Sequence, residues 1–185
     1  MIELSNVSIS YGEKNIIKEL SFTFKNGFNA VMGPSGSGKT SIANALLNLI
    51  PYSGTITCDS QKNAAVFQED RLCDNISVLK NLKMVCKDKS VIENGLAEFR
   101  LSKEINTKVS SLSGGMKRRI AILRALLSDY DNLILDEPFN GLDEAIKLKV
   151  MEYIKEKTSG KTVILITHNS SEVTFFNCNI LHLDL

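Results

Sequence analysis

No stretch of this sequence approaches the ~18 consecutive apolar residues that a membrane-spanning helix requires. The opening residues, Met1-Ile2-Glu3-Leu4, bring an acid early and offer neither the basic nor the apolar segment of a secretion signal. A cytoplasmic chain is expected, and any work at a membrane would run through a partner. Cysteine is sparse: Cys58, Cys73, Cys86 and Cys178 are irregularly spaced with no Cys-x-x-Cys pair, a pattern that predicts reduced thiols rather than a metal site. A dominant sign of charge is also missing. Against 22 Lys and Arg stand 21 Asp and Glu, and the net +1 gives no global field to draw in nucleic acid or anionic lipid. No nucleic-acid partner is expected. Internal repeats and low-complexity tracts are absent. What remains is 185 residues, 43% hydrophobic and 23% charged, enough for one globular domain with a substantial core and too few for two ordinary ones.

The most informative stretch is Gly33-Pro34-Ser35-Gly36-Ser37-Gly38-Lys39-Thr40, which fits the P-loop pattern without a mismatch. Ala30, Val31 and Met32 ahead of it read as a buried strand. Ile42, Ala45, Leu46 and Leu49 behind it recur at helical spacing. That strand–loop–helix context matters because the motif works through its backbone. Glycines let successive N–H groups converge on an anion, and the helix N-terminus adds its positive end. Lys39 would reach the β- and γ-phosphates of a nucleoside triphosphate, and the Thr40 hydroxyl would ligate Mg²⁺.

Taken in order, residues 2–9 place Ile2, Leu4, Val7 and Ile9 on either side of Asn6, and Tyr11-Gly12 makes a turn before a second strand over 16–24. Pro51-Tyr52-Ser53-Gly54 is expected to stop the helix after the P-loop, ahead of short strands at 55–57 and 64–67. From Ser77 to about Ser102 the pattern is helical, through Val78, Leu82, Val85, Val91, Ile92, Leu96 and Phe99. Polar residues dominate between them, so a small helical subdomain at about 72–110 is expected rather than a second core. Ser113 is a candidate N-cap for a helix bearing Ile120, Leu123 and Leu127. Leu133-Ile134-Leu135 is a buried strand ending at Asp136-Glu137-Pro138. Asp143 can cap the next helix, with Ile146, Val150, Tyr153 and Ile154 on its apolar face and Gly160 after it. Residues 163–166 form another buried strand, followed by His168 and a capping-box spacing from Asn169 to Glu172. Buried strands alternating with helices predict an α/β fold, a P-loop NTPase with a largely parallel sheet, a small N-terminal antiparallel β-region and a compact helical subdomain.

Phosphoryl transfer needs a phosphate cradle, a metal and something to activate the nucleophile. Asp136 ends a buried strand, where an acid that organises Mg²⁺ belongs. Glu137 could act as general base toward water. Gln68 and His168 would not stand out from their local sequence. Leu112-Ser113-Gly114-Gly115 places two glycines at a helix N-terminus, a second potential anion-binding end.

Together, the P-loop, Leu112–Gly115, Asp136-Glu137 and His168, in that order, resemble the ATP-binding subunit of an ABC transporter across essentially the whole chain. The resemblance implies one ABC-type ATP-binding domain over 1–185. It implies ATP held by Gly33, Pro34, Ser35, Gly36, Ser37, Gly38, Lys39, Thr40 and Ser41, with Tyr11 stacked on adenine. Mg²⁺ would sit near Thr40, Gln68 and Asp136, with Glu137 and His168 catalytic and Asp143 in the D-loop. It further implies a head-to-tail dimer in which Ser113, Gly114 and Gly115 close over ATP held by a second ATP-binding subunit. A polytopic membrane permease is the implied partner, so the chain would attach peripherally to the inner face of the cell membrane. Val66–Asp70 and Met116 resemble importers of the nitrate, sulfonate and taurine group, so import is expected, with an extracytoplasmic solute-binding protein as a further partner.

The chain also departs from the family pattern. The stretch from Lys39 to Gln68 is short, Asn169 stands where the family usually has Asp, and Met116 replaces the commoner Gln. The sequence stops soon after the last helix, so no regulatory extension is expected. A non-transport ABC-type ATPase of DNA repair or the ribosome is the alternative, but the long coiled-coil insertion or second ATPase domain usual there is missing. A P-loop kinase or GTPase leaves Leu112–Gly115 unexplained and would lack an Asn-Lys-x-Asp element. A nucleotide-binding regulator sits poorly with the presence of both Glu137 and His168.

Overall fold

The apolar alternation at the N-terminus changes phase at Asn6, and the structure shows why. The computed structural model describes residues 1–184. Its elements run β1 (Ile2–Tyr11), β2 (Lys14–Phe24), β3 (Gly27–Met32), α1 (Lys39–Leu46), β4 (Ser53–Cys58), β5 (Asn63–Val66), α2 (Val78–Lys83) and α3 (Lys89–Glu98). After two short 3₁₀ turns follow α4 (Gly114–Leu126), β6 (Asn132–Asp136), α5 (Glu144–Lys157), β7 (Thr162–Ile166), α6 (Ser170–Phe176) and β8 (Asn179–His182). β1 pairs antiparallel with β2 and β4, and its register shifts between Leu4 and Val7. There Asn6 takes a left-handed φ of 50° and donates its N–H to Ser21 Oγ at 2.9 Å. This bulge returns Val7 and Ile9 to the face that buries Ile2 and Leu4.

Two compact units emerge. The first holds residues 1–63, 131–137 and those from 160 onward. Besides the antiparallel β2-β1-β4 sheet, it contains parallel strands in the order β6-β7-β3-β8. β6 and β7 are buried along their whole length, as continuous apolar runs in a parallel sheet should be. Val31 of β3 and Asp136 of β6 both lie level with Ile166 of β7, so the three strands end together. β8 lies beyond the elements expected from the sequence. With four residues and Ile180 38% exposed, it is an edge strand too short and too mixed for periodicity to reveal.

One helix end differs from expectation. α1 stops at Leu46 rather than at Pro51. Asn48 adopts a left-handed φ of 55°, its N–H donates to Ala45 O at 2.9 Å, and Leu49 N–H donates to Asn44 O at 2.8 Å. That paired 5→2 and 6→1 pattern is a Schellman cap, and it leaves Leu49 54% exposed instead of on the helix's apolar face. At α6, Asn169 does cap, accepting from Ser171 N–H at 2.9 Å. Buried Glu172 accepts the Thr167 hydroxyl at Oε2, at 2.7 Å.

The second unit holds residues 64–130 and 138–159. Its helices have side-chain caps: Ser77 for α2, Asp88 for α3, Ser113 for α4 and Asp143 for α5. Contrary to expectation it has a core of its own. Val78, Leu82, Ile92, Leu96, Phe99, Ile120 and Leu123 are all at most 1% exposed. The missing apolar surface comes from α4, which is buried almost all round. Gly95 lets α3 approach α4: a Cβ there would lie 2.7 Å from Leu123 Cδ1. Val85 and Val91, expected on the apolar stripe, are exposed, and Val85 lies past the end of α2.

Candidate functional site

The P-loop leaves β3 and enters α1, as its flanks require. Gly33 is needed for close approach: a Cβ would lie 2.5 Å from Leu183 O and 2.7 Å from Ser37 Oγ. Gly38 combines a φ of +95° with the side chains of Ile16 and Ile17 packed where a Cβ would stand. Lys39 folds back over the loop, donating from Nζ to Gly33 O at 2.8 Å and to Pro34 O at 2.7 Å. Pro34, Ser35 and Gly36 are exposed, whereas Ser37 is buried and its hydroxyl meets no protein partner among the described residues. An ammonium held only by loop carbonyls and an orphaned buried hydroxyl suit an anion rich in acceptor oxygens. Tyr11, at the end of β1, is 50% exposed, and its hydroxyl lies 3.5 Å from Oγ of buried Ser41.

Of the three expected metal donors, Thr40, Gln68 and Asp136, two come together. Thr40 Oγ1 donates to Asp136 Oδ2 at 2.8 Å, although the two residues are far apart in sequence. Asp136 ends β6 and is 3% exposed. No three His, Cys, Asp or Glu converge among the described residues. Mg²⁺ needs no such cage, since it uses one or two carboxylates with phosphate oxygens and water. A hydroxyl paired with a buried carboxylate beside the phosphate loop fits that donor set.

One residue on, Glu137 turns the chain with a left-handed φ of 46° and donates its N–H to Ile166 O at 2.9 Å. For a side chain with a Cβ this conformation costs about 1–2 kcal/mol. It brings Glu137 Oε1 within 2.8 Å of His168 Nδ1, just past the end of β7. The carboxylate has no proton to give, so Nδ1–H is the donor. Glu137 is sheltered, with its side chain 15% exposed, while that of His168 is 70% exposed.

In the second unit, Ser113 Oγ accepts the Met116 N–H at 3.3 Å, capping α4 with Gly114 open to solvent on its Cα side. Gly115 lies against the backbone of the expected D-loop: a Cβ there would be 3.1 Å from Gly141 O. Asp143 Oδ1 accepts Ile146 N–H at 3.0 Å, so it caps α5 whatever else it does. Arg119 donates to Phe99 O at 2.6 Å and to Gly115 O at 3.2 Å. Burial lowers its pKa, with Asp143 pulling the other way. Gln68 is exposed just after β5, and its carbonyl accepts from Arg118. Sequence reading passed over Arg118 and Arg124. Their signal was the presence of charge on a helix otherwise apolar on nearly every side.

A family model described as ABC transporter matches residues 17–140. The chain belongs to the ABC transporter family. The Nod factor export ATP-binding protein I of Rhizobium johnstonii is 35% identical over 193 residues, covering 92% of this chain. The chain spans only 62% of that relative's length. The dimeric structure of MJ0796, a bacterial ABC transporter cassette, matches with TM-score 0.88 at 27% identity, covering 100% of this chain and 94% of that one. A dimeric post-hydrolysis state of the same cassette bound to ADP and Pi matches with TM-score 0.88 at 26% identity, over 100% and 96% of the two chains. The ABC cassette fold thus accounts for the P-loop, the parallel sheet and the small antiparallel β-region together.

Proposed function

We propose that the chain is the Mg²⁺-dependent ATP-hydrolysing part of an ABC transporter. The observation that carries this reading is the Glu137–His168 pair, held at 2.8 Å at the ends of β6 and β7 beside the P-loop strand. When bound, MgATP supplies the phosphoanhydride to be cleaved. The chain's own residues do the rest. Lys39, Ser37 and the loop N–H groups bind phosphate oxygens, and Thr40 and Asp136 hold the cation, with Gln68 as an added donor. His168 fixes Glu137 through Oε1, leaving Oε2 to accept a proton from water. Tyr11 offers a ring to adenine.

Ser113, Gly114 and Gly115 are proposed to act on nucleotide held by a second subunit, with Asp143 in the D-loop. The dimeric state of the related cassettes supports this. We treat 1–185 as one ATP-binding domain with a helical subdomain at about 72–110, attached to the inner face of the membrane through a polytopic subunit. For direction, the relatives named for export weigh toward export rather than the import suggested by Val66–Asp70 and Met116.

Glu137→Gln tests the reading. Nucleotide binding should persist while turnover falls at least about 100-fold, the usual scale of a lost general base, and an ATP-trapped dimer should accumulate. Hydrolysis at the parent rate would show that Glu137 is not the base.

A further inference from the structure

The backbone around Gln68 belongs to no helix or strand, yet four of its carbonyls point at one helix. Arg118, 7% exposed on α4, donates from Nη1 to Phe67 O at 2.6 Å and from Nη2 to Gln68 O. Its Nε lies 3.3 Å from Asp70 Oδ1. Further along α4, Arg124 Nη2 donates to Arg71 O at 2.9 Å and reaches Asp70 O at 3.5 Å. Arg71 takes a left-handed φ of 46° and lays its guanidinium 3.4 Å over the Phe67 ring.

The geometry at Gln68 is specific. The Phe67 carbonyl lies in the peptide plane before the Gln68 Cα, and the Gln68 carbonyl lies in the plane after it. One planar guanidinium therefore grips both planes, and the direction of the Gln68 Cα–Cβ bond follows. A lysine could not do this, because an ammonium is a point charge without the fork. From this we propose that Arg118 is a positioning residue that sets the direction of the Gln68 side chain and ties it to the Ser113–Gly115 end of the same helix. The clamp itself stands on the contacts above; its consequence for turnover rests on the ATPase reading.

Trypsin tests the clamp without nucleotide. In Arg118→Gln, cleavage after exposed Arg71 should quicken at least about tenfold, while cleavage after Lys155 in α5 stays within about twofold of the parent. Arg118→Lys should fall between parent and Gln variant, and it serves if the Gln variant does not fold. An unchanged rate at Arg71, or equal acceleration at every site, would overturn the proposal. The catalytic arm is a double-mutant cycle. Arg118→Gln should lower kcat about tenfold with KM for ATP within twofold, and should add nothing once Gln68→Ala is present. Additive losses would mean that Arg118 does not act through Gln68. A parent chain without ATPase activity would sink the proposed function alone, and the cleavage pattern would still decide the clamp.

Discussion

Asn29 sits in β3, directly ahead of the phosphate loop, and is fully buried. Its Oδ1 accepts Lys25 N–H at 2.9 Å and Asn179 Nδ2 at 3.2 Å, and its Nδ2 donates to Lys25 O at 2.8 Å and to Gly27 O and Val163 O at 3.2 Å each. One amide thus stitches the turn before β3 to its neighbours on both sides. Asn29→Val keeps volume and raises β-propensity, but it strands the Lys25 N–H and weakens the hold on the facing carbonyls. An unpaired buried group costs about 1–3 kcal/mol; with the Val163 carbonyl in a buried bond and the Lys25 N–H in a half-buried one, the loss is roughly 3 kcal/mol after the gain in apolar burial. In a domain of this length each kcal/mol moves Tm by roughly 2–4 °C, which places the expected fall at roughly 6–12 °C. Thermal melts followed by circular dichroism, without nucleotide, read this directly. If Asn29→Val melts within about 2 °C of the parent, the amide network contributes little and the reasoning fails.

Two further outcomes follow from sites already described. Ser113→Arg removes the α4 cap, at about 1 kcal/mol, and blocks the helix end; turnover should vanish while single chains still bind ATP, and surviving hydrolysis would rule out the trans site. Asp70 offers a pH test. Burial raises its pKa above the usual 3.8, ahead of the lowering by Arg118 and Lys117. The folded chain then holds that proton more tightly than the unfolded one, so the contribution is full below about 3.8 and is lost as pH rises through the folded value. Asp70→Asn should therefore gain on the parent between pH 4 and 7 and show no such trend below; a parallel pair of stability curves would refute the burial argument.

The P-loop, Asp136 and Glu137 were legible because each depends on local order: glycines before a helix, acids ending an apolar strand. His168 and Gln68 took their meaning from the resemblance, since neither has a local signature. The second unit's core was missed because its apolar surface is pooled from α2, α3 and α4, none of which is convincing alone. Leu49 misled because helical spacing continues past the Asn48 cap, and spacing carries no record of a left-handed residue. Arg118 showed only as a charge on an apolar helix; its role was not legible, because besides Asp70 its partners are backbone carbonyls, which every residue has.

The close approach of Leu183 to Gly33 has a consequence for how the protein is made. Leu183 N–H donates to Met32 O at 2.8 Å, and its own carbonyl fills the space beside Gly33. β3 is also flanked by β7 and β8, both contributed late in the chain. A ribosome therefore releases the phosphate-loop sequence long before the cradle around it can close. Nucleotide binding should begin only when residue 183 has emerged, so ATP reads whether synthesis of this fold has been completed.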